Sequence, residues 1–465
     1  MKRKLRKITA LIMCTAICIS VAACGKNGQN ADNGMKTVTV WTNNGHDKAF
    51  LTQKIDEWNK SVGKDAGVFI DYKVQDGNYS EKLTLAFETK QAPDLFSGAN
   101  LAEYVQKGYI TAFDDIKGTE EILKKYSKYT TVGNHKYTDG KCYSVPKSAT
   151  TYGLIYNKEM FKAAGIVDEN GEAKPPTTLS ELREYAKKLT KPEKKEYGIV
   201  FPAKFGAWYS NDVSIMASAS SGYTDSYNPK EGVFDYTCEG EVMKTILGIK
   251  ADGSCVPGAE GLDNDPARAR FSSGGIGMKT AASYDYGVLT TQFPATIEWG
   301  VAPMPVADNA ERHKQYMSNT AYLYVNKKAA EEKEDAVSLV LNFFYSDELV
   351  IDAYKKGIDI PIEAELIKGV EIDKKLDNWR VFADMVALSH TVPIPMSSDI
   401  GGTQSMGNIW LEEIWTGNIG VDALDSYLKE YSDLLNEGVK KYQKEHPEYN
   451  PNDHIIPDFD LEPID

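Results

Sequence analysis

From Lys36 onward, short β-branched or aromatic runs alternate with segments whose apolar residues recur at helical spacing, and this alternation restricts the fold more than any other feature. Residues 37–41 suit a buried parallel strand. A turn at 42–45 follows, then Phe50, Leu51, Ile55, Trp58 and Val62 on one helical face. Residues 68–72 predict the next strand, and Ser80 is placed to cap a helix with Leu83 and Phe87 inward. Residues 93–97 predict a third strand, and Asn100 caps a helix that Gly108 ends. Strands separated by helices of about 10–15 residues make βαβ units with a mostly parallel sheet, so the fold class is α/β. Such sheets bind ligands beyond the carboxyl ends of their strands. Asn43, Asn44, Asp94, Ser97 and Asn100 fall on loops of that kind, although Asn44 and Asp94 are equally suited to capping helices or turns.

The chain has 465 residues, room for two or three domains or one large two-lobed unit. It carries 53 Lys and Arg against 67 Asp and Glu, and no basic block follows residue 7, which argues against nucleic acid as a partner. The basic residues 2–7 precede an apolar stretch, 8–23, in the layout of an export signal. That stretch ends in Val21-Ala22-Ala23-Cys24-Gly25, which resembles a bacterial lipobox. The resemblance implies removal of residues 1–23 and acylation of Cys24; an ordinary signal peptide that happens to carry a cysteine is the alternative. Losing residues 1–23 makes the chain more acidic, so membrane contact would run through the acyl anchor alone. Residues 24–35 are polar and Gly/Asn-rich, as in a flexible tether. Cys142, Cys238 and Cys255 remain, none in metal-ligand spacing; a Cys238–Cys255 bridge and three free thiols both fit.

The stretch 140–189 is the most informative. Tyr143-x-x-Pro146, Leu154-x-Tyr156-Asn157-Lys158, Phe161-x-x-Ala164-Gly165 and Pro176-x-Thr178-x-x-Glu181-Leu182 follow in order, the last a capping-box pattern opening a helix over 179–189. These motifs, with Ala92-Pro-Asp-Leu-Phe96, Phe271-Ser-Ser-Gly-Gly-Ile-Gly-Met278 and Trp299-Gly-Val-Ala-Pro-Met-Pro305, resemble the family 1 extracellular solute-binding proteins, the sugar-binding lipoproteins of ABC importers. The resemblance spans roughly 36–442 and implies a two-lobed periplasmic-binding-protein fold with an interlobe ligand cleft and several chain crossings. Lobe one would take 36–146 plus 307–352, and lobe two 150–302 plus 358–444. Crossings would lie near 147–151, 303–308 and 353–358. Residues 445–465, rich in Pro and acids, read as an extended or mobile tail. The resemblance further implies a membrane-anchored monomer that needs no cofactor and delivers a carbohydrate to the transmembrane subunits of an ABC importer.

No motif carries catalysis positively. Gly-x-Ser-x-Gly and His-Glu-x-x-His are absent, the six His are scattered, and Gly274-Gly275-Ile276-Gly277 lacks the third glycine of a dinucleotide loop. Counting acids leaves room for a glycosidase carboxylate pair, so a lipoprotein enzyme acting on glycans stays open, as does a non-sugar solute. Sugar recognition asks for flat rings and convergent hydrogen-bonding groups. By resemblance, Trp208, Tyr209 and Asn211 sit where lobe two presents an aromatic, and Tyr284 with Asp285 sits where relatives usually carry a stacking Trp. Thr150 occupies a crossing, and Gln404 lies in the loop before the helix that reaches Trp410. Each is equally compatible with a place in the core or at a cap. Lys147 reads as a solvated hinge lysine or a partner for an acidic sugar.

Overall fold

The computed structural model describes residues 34–75, 78–391, 404–447 and 449–464. The proposed signal, Cys24 and most of the tether therefore lie outside the described residues.

The first lobe is built on a five-stranded sheet. Lys36–Thr42 pairs in parallel with Val68–Val74 on one side and Leu95–Phe96 on the other; Tyr324–Asn326 then inserts antiparallel between Leu95–Phe96 and Ile110–Thr111. Val38, Val40 and Leu95 face inward and meet Phe50, Leu51, Ile55 and Trp58 of helix Lys48–Lys60, four of the five residues on the predicted face; the fifth, Val62, lies past the helix end at Lys60 and is exposed. Helix Tyr79–Glu88 starts at Asn78, ahead of the predicted cap Ser80. The buried Tyr79 ring is the reason, because its hydroxyl donates to the carbonyls of Ser97 and Trp41 and pulls this turn onto the strand ends.

The second lobe has a four-stranded sheet in the order Trp299–Ala302, Tyr152–Asn157, Ile276–Ala282, Tyr197–Ile199. All seven residues of Ile276–Ala282 are buried. Helix Leu179–Leu189 has the predicted bounds, and Thr178 accepts from the Glu181 amide as its cap. Glu181 reaches back to the amide and hydroxyl of Thr177, one residue earlier than the simplest capping box. The helix lies so close to the sheet that a Cβ on Gly198 would stand 2.1 Å from the Ala186 carbonyl oxygen, so only glycine fits there.

Among the described residues, three chain segments run between the two sheets. Ser148–Ala149 pairs antiparallel with Ile360–Pro361, and Thr150 exchanges backbone hydrogen bonds with Ser318. This places the second crossing near 317–320 and corrects the expected 303–308. Val306 is hydrogen-bonded to Thr177 and Leu179, His313 to Ala219, and Gln315–Tyr316 pairs with Ser389–His390, all on the side of the second lobe. The return to the first lobe begins with Met317 and Tyr322, which enter its core.

The tail is extended but docked. The Ile456 amide donates to the Pro229 carbonyl, the Tyr227 hydroxyl to the His454 carbonyl, and the Ile464 amide to the Arg312 carbonyl. Lys314 pairs with Asp460 at 2.7 Å, and Phe459 packs on the His390 ring. Apolar residues set between the prolines give this segment something to bury, which its composition alone conceals. Cys142, Cys238 and Cys255 are all free thiols, so the Cys238–Cys255 bridge does not form. Instead, Cys238 donates to the Ser226 hydroxyl.

Candidate functional site

The loops at the carboxyl ends of both sheets open onto one cleft between the lobes. Its volume is about 340 Å³. Asn43, Asn44 and His46 follow strand Lys36–Thr42, and Ser97 with Gly98 follows Leu95–Phe96. Ser283 and Tyr284 follow Ile276–Ala282 in the opposite lobe. The floor is made by the crossings, through Ser148–Thr150, Thr320–Tyr322 and Ile358–Ile360. A second cavity of about 320 Å³ continues past Gly98 and Thr320 to Tyr316, and a third of about 430 Å³ shares Tyr284 and reaches Arg268.

Five of the residues singled out by sequence come together here: Asn43, Asn44, Ser97, Thr150 and Tyr284. The Ser97 hydroxyl donates to the Asn43 side-chain carbonyl at 3.0 Å, fixing that amide at the cleft edge. Tyr284 is half-buried, and burial followed by the charge of Asp285 pushes its hydroxyl up to about 12.

The remaining candidates are engaged elsewhere. Asp94 precedes its strand, at the end away from the cleft; its carboxylate accepts from the Thr39 amide and hydroxyl and from Lys333 at 2.8 Å. Asn100 is an exposed cap accepting from the Glu103 amide. Trp208 is 0 % exposed, inside a three-tryptophan core with Trp410 and Trp415 at ring separations of 5.5 and 5.0 Å. A large apolar ring stabilises a core more than it does a wet cleft, which explains its placement. Tyr209 donates to Glu239 at 2.7–2.8 Å, and Asn211 lies in the π-helical turn Ser210–Ser214 outside the lining of these cavities. Asp285, 3 % exposed, points inward to accept from Arg268 and the Ala282 amide instead of standing beside Tyr284 in the cleft. Gln404 is exposed and donates to Glu412 at 2.7 Å. Lys147 is buried, contrary to the solvated reading, with its ammonium 3.9 Å from the Tyr322 ring centre.

Sequence reasoning missed the row of tyrosines on the second lobe. Tyr152 and Tyr316 stack at 6.1 Å with an interplanar angle of 23°. Burial, then the neighbouring Tyr316, Tyr284 and Asp225, hold the Tyr152 hydroxyl well above its ordinary range. Asp225 is exposed, and the surrounding protein raises its carboxyl. The Ser214 hydroxyl donates to it at 3.2 Å. It has φ 45°, and Ser226 after it φ 58°, two consecutive non-glycine residues in the left-handed region. Strain of this kind persists only where its surroundings impose it and gathers at functional sites. His46 and Asp359 were missed as well, although a histidine opening a loop beyond a strand end was a usable signal.

The sequence profile described as "Bacterial extracellular solute-binding protein" matches residues 42–350. The chain belongs to the bacterial extracellular solute-binding proteins. The family is the one the motifs of 140–189 implied, and its members act by binding. Among relatives, this solute-binding protein is 24% identical over 350 residues to the sn-glycerol-3-phosphate-binding periplasmic protein UgpB of Brucella melitensis, covering 70% of this chain and 74% of the relative. Its fold is that of the GacH receptor of Streptomyces glaucescens, with a TM-score of 0.66 at 19% identity, covering 87% of this chain and 99% of that one. The maltose/maltodextrin-binding domain MalE of Bdellovibrio bacteriovorus gives a TM-score of 0.64 at 15% identity, covering 87% and 100%. Among the described residues no helix is long and apolar enough to cross a membrane.

Proposed function

We propose that this solute-binding protein captures a sugar or oligosaccharide between its lobes and delivers it to the transmembrane subunits of an ABC importer. The observation that carries this reading is the pairing of two kinds of surface across one cleft. Tyr284 and Tyr316, the latter stacked on Tyr152, supply rings from the second lobe, while Asn43, Asn44 and Ser97 supply hydrogen-bonding groups from the first. Rings take the C–H faces of a sugar, and amides and hydroxyls take its hydroxyl edges. The solved neighbours support it: GacH was crystallised with acarbose and MalE with maltotriose.

The full reading adds a monomer held at the outer face of the cell membrane by an acyl chain on Cys24, with residues 24–35 as the tether. It places Asn43, Asn44, Thr150 and Tyr284 at the ligand, assigns the work to binding without turnover, and divides the chain at the crossings.

The experiment is titration calorimetry of the purified chain against a panel of maltodextrins, chitooligosaccharides and xylooligosaccharides, with sn-glycerol 3-phosphate beside them. Chromatography of each mixture after incubation reads hydrolysis. Saturable binding of a carbohydrate that is recovered intact supports the proposal. Binding of the glycerol phosphate alone overturns the carbohydrate assignment, and cleaved product overturns the receptor assignment.

A further inference from the structure

At the floor of the cleft, three potential metal ligands converge. The His46 Nε2 and Asp359 Oδ1 atoms are 2.9 Å apart, and a carboxylate oxygen of Asp47 completes a set in which all three atoms lie within 4.8 Å of one another. His46 and Asp359 face the cleft, whereas Asp47 is only 2 % exposed.

Asp47 precedes helix Lys48–Lys60, where an aspartate ordinarily spends its carboxylate on the free amides of the first turn. Here the residue has helical φ and ψ, and its side chain makes no capping bond. One carboxylate oxygen is buried without any hydrogen-bond partner. Leaving a buried charged acceptor unsatisfied is costly, so a carboxylate held this near His46 and Asp359 calls for a donor or a cation.

The local charge points the same way. Two carboxylates face one fixed cation, Lys147, which is 4 % exposed and lies over the Tyr322 ring. Asp47, Asp359 and Lys147 together carry one surplus negative charge, which a proton on His46 or a bound cation balances. Tyr72, bonded to Thr42 at 3.0 Å, and Tyr322 stand on the same side and add no charge at neutral pH.

We propose that His46, Asp47 and Asp359 form a site for a first-row divalent cation of the zinc class. One imidazole nitrogen with two carboxylate oxygens suits zinc better than calcium or magnesium, which favour all-oxygen sets. Three protein ligands leave a position open toward the cleft, where water or a ligand oxygen can enter. Because Asp359 belongs to the third crossing and His46 and Asp47 to the first lobe, the ion ties the hinge to that lobe. Lys147 opposes the ion electrostatically and holds the affinity down.

The test is titration of the full chain, stripped of metal with a chelator, with zinc chloride, read by calorimetry and by metal analysis after gel filtration. One zinc per chain is expected, and His46→Ala, on a side chain 38 % exposed, should weaken it at least tenfold while circular dichroism stays unchanged. Asp359→Asn should do the same, and Lys147→Met should tighten binding. Absence of stoichiometric zinc in the wild-type chain overturns the site, as does zinc retained at full affinity in both His46→Ala and Asp359→Asn. Weaker binding in Lys147→Met overturns the electrostatic argument and the site with it. Sugar binding is measured separately, so failure here leaves the carbohydrate proposal standing or falling on its own.

Discussion

Arg268 donates from Nε to Asp285 at 2.7 Å, and the same guanidinium lies 5.9 Å from the centre of the Tyr284 ring. Two neighbours in sequence thus have divided roles: Asp285 holds the arginine in the protein, and the arginine supports the ring at the cleft.

Asp285→Asn and Tyr284→Ala should therefore fail differently. Breaking a buried pair by neutralising one partner costs about 3–5 kcal/mol, so Asp285→Asn should melt well below wild type. Tyr284→Ala should keep its melting temperature within a few degrees and lose about ten- to a hundredfold in ligand affinity. Calorimetry beside a melting curve checks both; a stable Asp285→Asn with weak ligand binding would return that carboxylate to the cleft.

Stability should fall as the medium becomes alkaline. Burial pushes the Glu239 carboxyl up to about 8 and the Asp212 carboxyl to about 7. A carboxyl raised in the folded state keeps its proton longer there than in the unfolded chain. Its contribution is full below the unfolded value near 4.5 and is lost as pH climbs through the folded value. Melting temperatures should drop between about pH 5 and pH 8.5, and Glu239→Gln should flatten that slope because a neutral amide carbonyl still accepts from Tyr209. An identical slope in the variant would remove Glu239 from the account.

The cleft should close around its ligand. A ligand shifts the lobes only through contacts it makes in the closed arrangement alone. Small-angle scattering should show a smaller radius of gyration with the bound carbohydrate, and hydrogen exchange should slow at the loops carrying Asn43 and Tyr284. Tight binding with unchanged scattering and exchange would count against a hinged receptor.

Cys24→Ala should release the protein. Without the thiol there is nothing to acylate, so the variant should appear in the soluble fraction or as uncleaved precursor. Metabolic labelling with a radioactive fatty acid, followed by fractionation, reads the outcome; an acylated, membrane-bound variant would dismiss the lipobox.

The sequence carried the elements well wherever one local rule sufficed. Helix Leu179–Leu189 was legible because Thr178, Glu181 and an apolar face agree, and strand Tyr152–Asn157 because its run is continuous. The loops that open the cleft followed from strand polarity, which pointed to Asn43, Asn44 and Ser97, whereas Thr150 came from the resemblance alone. The choice among aromatics was not legible. Trp208 and Tyr316 are both rings near polar residues in sequence, and only packing against Trp410 and Trp415, or stacking on Tyr152, separates core from cleft. Asp94, Asp285 and Asp359 are likewise indistinguishable until Lys333, Arg268 and His46 arrive from distant parts of the chain. The crossing at 317–320 was misplaced because the segment before it is extended and looks the same in either lobe.

The strand that begins the described fold, Lys36–Thr42, lies in the first lobe, and the last described residues dock on the second. The first and last described segments thus lie on opposite lobes, and their separation would report the angle between the lobes. Fluorophores placed at the termini should report closure by a change in energy transfer, with no label in the cleft and no interference with what binds there. Under the proposed amino-terminal tether, the first lobe would be the stationary arm and the second would swing, carrying the last described residues with it.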